Sequence, residues 1–170
     1  MTSTNAAVRL IGFGYYDEAL SLSRSIAETG NLVQLFMVDN RHIRLWLDAA
    51  DQERRKQYSP VNVRRSLEQL GSVVPTDQTT YSWLCEAGTH VTPKTKPQAH
   101  NSIEQPILGA ICQPAGVEMG LSSLAWSVCT VSGPLGKLAL IKDAAAIRIV
   151  NRTIKLAEVL FQMPNAPLSN

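Results

Sequence analysis

The stretch AVRLIGFGYYDEALSLSRSIAETGNLVQLFMVDN, residues Ala7 to Asn40, admits two readings that lead to different folds. In the first, an apolar strand runs into Gly12-Phe13-Gly14, a helix follows, and a second strand, NLVQLFMV, ends just before Asp39. That is the outline of a Rossmann-type nucleotide-binding unit, with an acid where a ribose hydroxyl would need one. In the second, the glycines are a break and Tyr15 to Val38 is one long helix. Asp17 favours the second, because it stands where the fingerprint needs a third glycine and its carboxylate would repel a pyrophosphate. Periodicity also favours it. Leu22, Ile26, Thr29, Val33, Phe36 and Met37 share one helical face, and Leu20, Ala27, Asn31 and Leu35 the opposite one. A helix with apolar residues on two sides belongs at the centre of a bundle.

Working outward, Thr2 to Ile11 is a short apolar segment ahead of the break. After it, Asp39-Asn40 supplies a cap for an amphipathic helix over residues 41–58, with Ile43, Trp46, Leu47 and Ala50 expected inward. Ser59-Pro60 restarts the helix, with Ser at the cap and Pro in the first turn, and Gly71 ends it. Asp77 can cap a further helix over residues 78–90. No strand alternates with these helices, so an isolated βαβ unit would have no sheet to join. Val91 to Pro114 holds Pro93, Pro97, Pro106 and Pro114 and reads as a long ordered loop or a short extended excursion, of a length that tends to be functional or disordered. Gly116 to Val131 reads as helix, SGPLG as a turn, and Lys137 to Met163 as the last helix. Its stripe is Leu138, Ile141, Ala145, Ile149, Leu156, Leu160 and Met163, interrupted by Arg152. The expected fold is therefore all-α: one helical bundle domain over residues 1–163, a flexible tail over 164–170, and a proline-rich loop between the fourth and fifth helices.

The bulk composition excludes several classes. With 45% hydrophobic and 18% charged residues the chain has ordinary globular content, and a net charge of +2 does not favour nucleic acid as a partner. Cys85, Cys112 and Cys129 are odd in number and widely spaced, without a C-x-x-C pair. The first residues lack the apolar core of a signal peptide, and no uncharged run is long and undiluted enough for a membrane span. The expectation is a cytoplasmic protein with no membrane partner and no cofactor. Three histidines on separate segments give no metal-binding spacing.

Between Ala19 and Val38 only Arg24 and Glu28 are charged, one helical turn apart, and Asn31 continues their strip. Within a central helix such a pair must be desolvated, which is costly unless further hydrogen bonds complete it. It is either a brace between helices or part of a polar pocket. In the pocket reading Arg24 anchors a small anion or nucleotide, and Glu28 or His90 carries a proton. His90 ends a helix four residues after Glu86, where the helix dipole and the carboxylate both favour its charged form. His100 lies on the proline-rich loop and could face it. His42, between Arg41 and Arg44, reads as a surface residue. Arg54, Arg55, Lys56, Arg64 and Arg65 gather around Tyr58, with Arg64 the candidate ligand contact.

Three stretches, LSRSIAETGNLVQLFMVD, ERRKQYSPVNVRRSLE and YSWLCEAGTHVTPKTKPQAHN, resemble a group of uncharacterised all-helical bacterial proteins and cover about a third of the chain. The pattern Arg24-Ser25-x-x-Glu28 with a histidine at a helix end, here His90, is loosely similar to HEPN nucleotide-binding and RNase bundles. That resemblance implies a helical bundle but no activity for this chain. HEPN ribonucleases use an arginine followed by a histidine after four to six intervening residues, and no arginine stands at that distance before His42, His90 or His100. The residues thus suggest a self-associating binding or interaction module, with an enzyme or anion binder around Arg24, Glu28 and His90 as the alternative.

Overall fold

Helix follows helix through the whole of residues 3–88, 109–138 and 144–162, the part of the chain that the computed structural model describes. There are eight among these residues: α1 (Ser3–Gly12), α2 (Tyr16–Val38), α3 (Arg41–Asp48), α4 (Asp51–Gln57), α5 (Pro60–Gln69), α6 (Gln78–Gly88), α7 (Pro114–Leu138) and α8 (Ala144–Gln162). No strand occurs among the described residues, so the Rossmann reading of the opening stretch falls. The segment before Gly12 is α1, and NLVQLFMV is the last two turns of α2. Gly14 turns the chain between them at φ +80°, a conformation that glycine adopts without strain. A side chain there would also strike the Ile111 backbone, whose N–H donates to the Gly14 carbonyl at 3.3 Å.

α2 is the central helix, packed by α1, α3, α5, α6 and α7. Its most extensive contact, with α7, is built from small residues. Ala19, Ser23, Ala27 and Gly30 are buried along α2, and Gly116, Gly120, Ser123, Ser127 and Thr130 along α7. Small side chains let helix axes approach closely. A Cβ on Gly30 would lie 2.7 Å from Thr130 Oγ1 and 2.8 Å from the Thr130 carbonyl oxygen, and one on Gly116 would enter the Tyr16 ring. Three of the buried hydroxyls are satisfied inside their own helices, Ser23 donating to Ala19 O at 2.9 Å, Ser127 to Ser123 O at 2.8 Å and Thr130 to Ser127 O at 2.8 Å, while Ser123 Oγ has no hydrogen-bond partner among the described residues, and none of the four bonds across the seam. The seam therefore behaves as an apolar one. Around it Ala7, Ile11, Tyr16, Ala19 and Leu124 form one core cluster, while Leu35, Val63 and Leu67 join α2 to α5.

Some local expectations hold. Asp77 caps α6 by accepting from the Thr80 N–H at 2.7 Å, and Gly71, at φ +65°, ends α5 with its N–H on Glu68 O. Others are corrected. Residues 41–58 are two helices, broken at Ala49-Ala50, and Leu47 and Ala50 are exposed while Ile43 and Trp46 are half-buried. The break is held by Arg54, which donates to the carbonyls of Trp46 at 2.8 Å and Ala49 at 2.5 Å and stacks on the Trp46 ring. SGPLG does not turn the chain. α7 continues through it with Pro134 inside the helix, where the missing N–H releases the Thr130 carbonyl. Pro134 and Gly136 are buried there, and packing overrides the local tendency to break. With α1 and the α3–α4 break added, the proline-rich segment follows the sixth helix, and most of it lies outside the described residues. The tail proposed over 164–170 also lies outside them.

Candidate functional site

The sequence-predicted pocket separates into residues the fold gathers and residues it does not. Arg24 and Glu28 sit on the side of α2 that meets α6, opposite Tyr81 and Cys85, which are likewise one turn apart. Arg24 Nε lies 3.4 Å from Glu28 Oε1 without the alignment of a hydrogen bond, and Nη1 donates to Cys85 Sγ at 3.8 Å. Burial disfavours the charged guanidinium, but the Cys85 bond and the Glu28 carboxylate outweigh it and hold its pKa above the ordinary value. The Tyr81 phenol adjoins both Cys85 and Glu28 and is pushed up to about 12, first by burial, then by these neighbours.

On the other side of Tyr81 stands Arg64, from α5, with its guanidinium 4.4 Å above the ring centroid. Arg64 is only 5% exposed. It donates through Nη2 to Gln78 Oε1 at 2.5 Å, its Nη1 is buried without a hydrogen-bond partner, and no carboxylate among the described residues pairs with it. The result is a layered polar seam, Arg24–Glu28 on α2, Tyr81 and Cys85 on α6, and Arg64 on α5. Beside it a cavity of about 180 Å³ is lined by Ser25, Glu28, Thr29, Tyr58, Pro60 and Val63, among others.

Asn31 is not part of that seam. Its Nδ2 donates to Thr76 O at 2.8 Å and its Oδ1 accepts from Thr76 N at 2.8 Å, so both ends of the amide are consumed by one backbone unit. It pins the segment between α5 and α6 to the central helix. Glu86 is exposed on α6. His90 and His100 lie outside the described residues. The helix that leads to His90 is anchored on α2 at its last residue: Ser21 Oγ donates to the Gly88 carbonyl, and a Cβ at Gly88 would meet Leu20 and the Asp17 carbonyl.

His42 differs from the surface residue expected. It is half-buried, edge-on to the Tyr58 ring, with Nδ1 3.1 Å from the Tyr58 hydroxyl. The gathered basic residues also diverge: Arg54 turns to α3, Arg64 is buried, and Arg65 is exposed and bonded to Asn62 at 3.0 Å. Nothing in the sequence assigns Tyr81 and Cys85 to this place. Their i, i+4 spacing matches that of Arg24 and Glu28, but nothing local says that the two faces meet.

Fold and seam define an all-α helical bundle in which polar side chains join the central helix to two neighbours. No family model, curated protein or solved structure matches the chain.

Proposed function

We propose that the protein is an interaction module that pairs with a second copy of itself through α8. The observation that supports this is the exposure of apolar side chains along that helix. Ile147 is 46%, Ile154 51%, Leu156 38% and Val159 56% exposed, and the helix packs on the body through α7. Ile147 and Ile154 are two turns apart and share one flank. Apolar residues grouped on one helix, rather than scattered singly, mark an association surface. The charges of α8 suit a second copy. In an antiparallel pair centred at the level of Thr153, Arg148 lies level with Glu158 of the second copy and Ile147 with its Val159. A two-fold pair of this kind meets each contact twice. On this reading Arg24, Glu28 and Tyr81 brace α2 against α6 and are structural.

Sedimentation of the whole chain over a concentration series tests it. Dimer should form as concentration rises, and Arg148→Glu or Glu158→Arg should each weaken it. Mixing the two variants should restore association. A monomer at every concentration, or two single variants that dimerise like the parent, overturns the proposal.

A second reading, a small-anion or nucleotide site at Arg24, Glu28 and His90, draws support from Arg64, which is buried against Tyr81 with no carboxylate paired to it among the described residues. It requires that His90→Ala abolish binding of inorganic phosphate or a nucleotide while leaving thermal stability nearly unchanged. Neither that site nor the likeness to HEPN bundles is needed for association through α8.

A further inference from the structure

A cavity lies at the other end of the molecule from Gly14, between α7, α8 and the segment that joins α5 to α6. It encloses about 540 Å³. That lies within the range of cavities that bury a drug-sized molecule. Its walls are Trp126 and Pro134 of α7, Ile154 of α8, and Val74 and Pro75 of the connecting segment. Polar groups are few and placed at points. Gln34, buried on α2, gives its Nε2 to Ser72 at 3.0 Å, and its Oε1 has no hydrogen bond to any described residue. Lys137 stands exposed at the rim with no carboxylate paired to it among the described residues. Asp77, the one carboxylate of the lining among the described residues, already accepts from the Thr80 N–H.

We infer that this cavity binds a small, mostly apolar molecule with an aromatic body and one anionic group. An apolar wall containing an indole and two prolines favours a flat ring system. A hydrogen-bond acceptor within and a lysine at the rim orient it, with the anionic end outward at Lys137 and any ring N–H or hydroxyl inward at Gln34 Oε1. The geometry of α7 keeps the cavity open. Gly133 lines it, and a Cβ on Gly133 would meet nothing within 4 Å, so the absent side chain leaves space that the helix does not otherwise need. Cys129 lines the same wall, half-buried, with its thiol directed at Thr153 O at 3.7 Å. It is a natural reporter of occupancy. The cavity touches the surface of the dimer proposal at Ile154, whereas Ile147 and Val159 do not line it, so substitutions at those two positions tell the readings apart.

Anilinonaphthalene sulfonate, an aromatic body with one anionic group, and its uncharged analogue N-phenylnaphthylamine are the probes. Both should bind the folded chain at one site with increased fluorescence. Gly133→Leu fills the cavity and should weaken both by about tenfold or more, a loss equal to at least one good buried contact. Lys137→Gln should weaken the sulfonate by about threefold, as fits an exposed charge pair, and leave the neutral probe within about twofold. Ile147→Glu, outside the cavity, should change neither. Bound N-phenylnaphthylamine should slow methanethiosulfonate labelling of Cys129 and leave the exposed Cys112 unaffected, read by peptide mass. Because Gly133→Leu could disturb α7, its circular dichroism and melting temperature are compared with those of the parent. If it unfolds, the Cys129 protection decides. Probe binding that survives in a folded Gly133→Leu chain, or Cys129 labelling that ignores the probe, overturns the inference.

Discussion

The α2–α7 seam and the α8 helix use their residues in opposite ways. In the seam, glycine, alanine and serine are buried, while on α8 isoleucine, leucine and valine are exposed. Hydrophobicity alone would rank the two the other way round. The seam gains from closeness: with no side chain at Gly30, the Thr130 carbonyl lies against α2, and many weak contacts accumulate where the backbones nearly touch. α8 is held to α7 partly by polar links, Thr153 Oγ1 to Ser132 Oγ at 2.8 Å and Cys129 Sγ to Thr153 O. Packing distance, and not side-chain hydrophobicity, separates the α2–α7 seam from the exposed flanks of α8.

The hardest test of that contrast is Gly30→Leu. Overpacking against the Thr130 backbone should cost roughly 3 kcal/mol or more, against a gain of about 1 kcal/mol in helix propensity, so loss wins. Urea denaturation reads the difference, and a stability equal to the parent's would mean that the seam is not close-packed. Next is Asn31→Ala, which strands both backbone groups of Thr76 and should cost about 2 kcal/mol in the same measurement. No change there would show that the segment between α5 and α6 is not pinned by Asn31.

The polar seam is checked by alkali. The folded pKa of Tyr81 is raised to about 12 from an ordinary value of 10.0, so folding favours the protonated phenol. Its contribution is whole below pH 10 and drains away as pH rises towards about 12. Melting temperatures taken across that window should fall, and should fall less in Tyr81→Phe. A variant with the same slope as the parent would remove Tyr81 from the account. The smallest effect on stability is expected at α8, where Ile147→Glu or Val159→Glu should change the unfolding free energy by no more than about 0.5 kcal/mol. A large destabilisation there would place these residues in the core and erase the contrast.

Much of the fold is legible without coordinates. The all-α class, the central position of α2, the cap at Asp77 and the stop at Gly71 rest on periodicity and caps, which act within a turn or two. The site is less legible. Arg24 and Glu28 stood out because two charges in a long uncharged run are locally visible. Their partners Tyr81 and Cys85 are more than fifty residues away, and ordinary residues on an ordinary helix give no sign of what they face. Asn31 was grouped with the charged pair for its place on the same strip, yet its amide turns to Thr76.

What the sequence by itself determined is the set of helices and the faces they offer, because helical propensity, capping and period are properties of neighbouring residues. It could not determine whether Gly133-Pro134 would break α7, since the cost of a proline inside a helix is set against packing that other segments supply. Nor could it determine whether Arg64 would be solvated or buried over Tyr81, since desolvation depends on which helix lies above. The tertiary structure decided both. It kept α7 continuous through Pro134, opened a cavity beside Gly133, and enclosed a charge that sequence alone would leave in water.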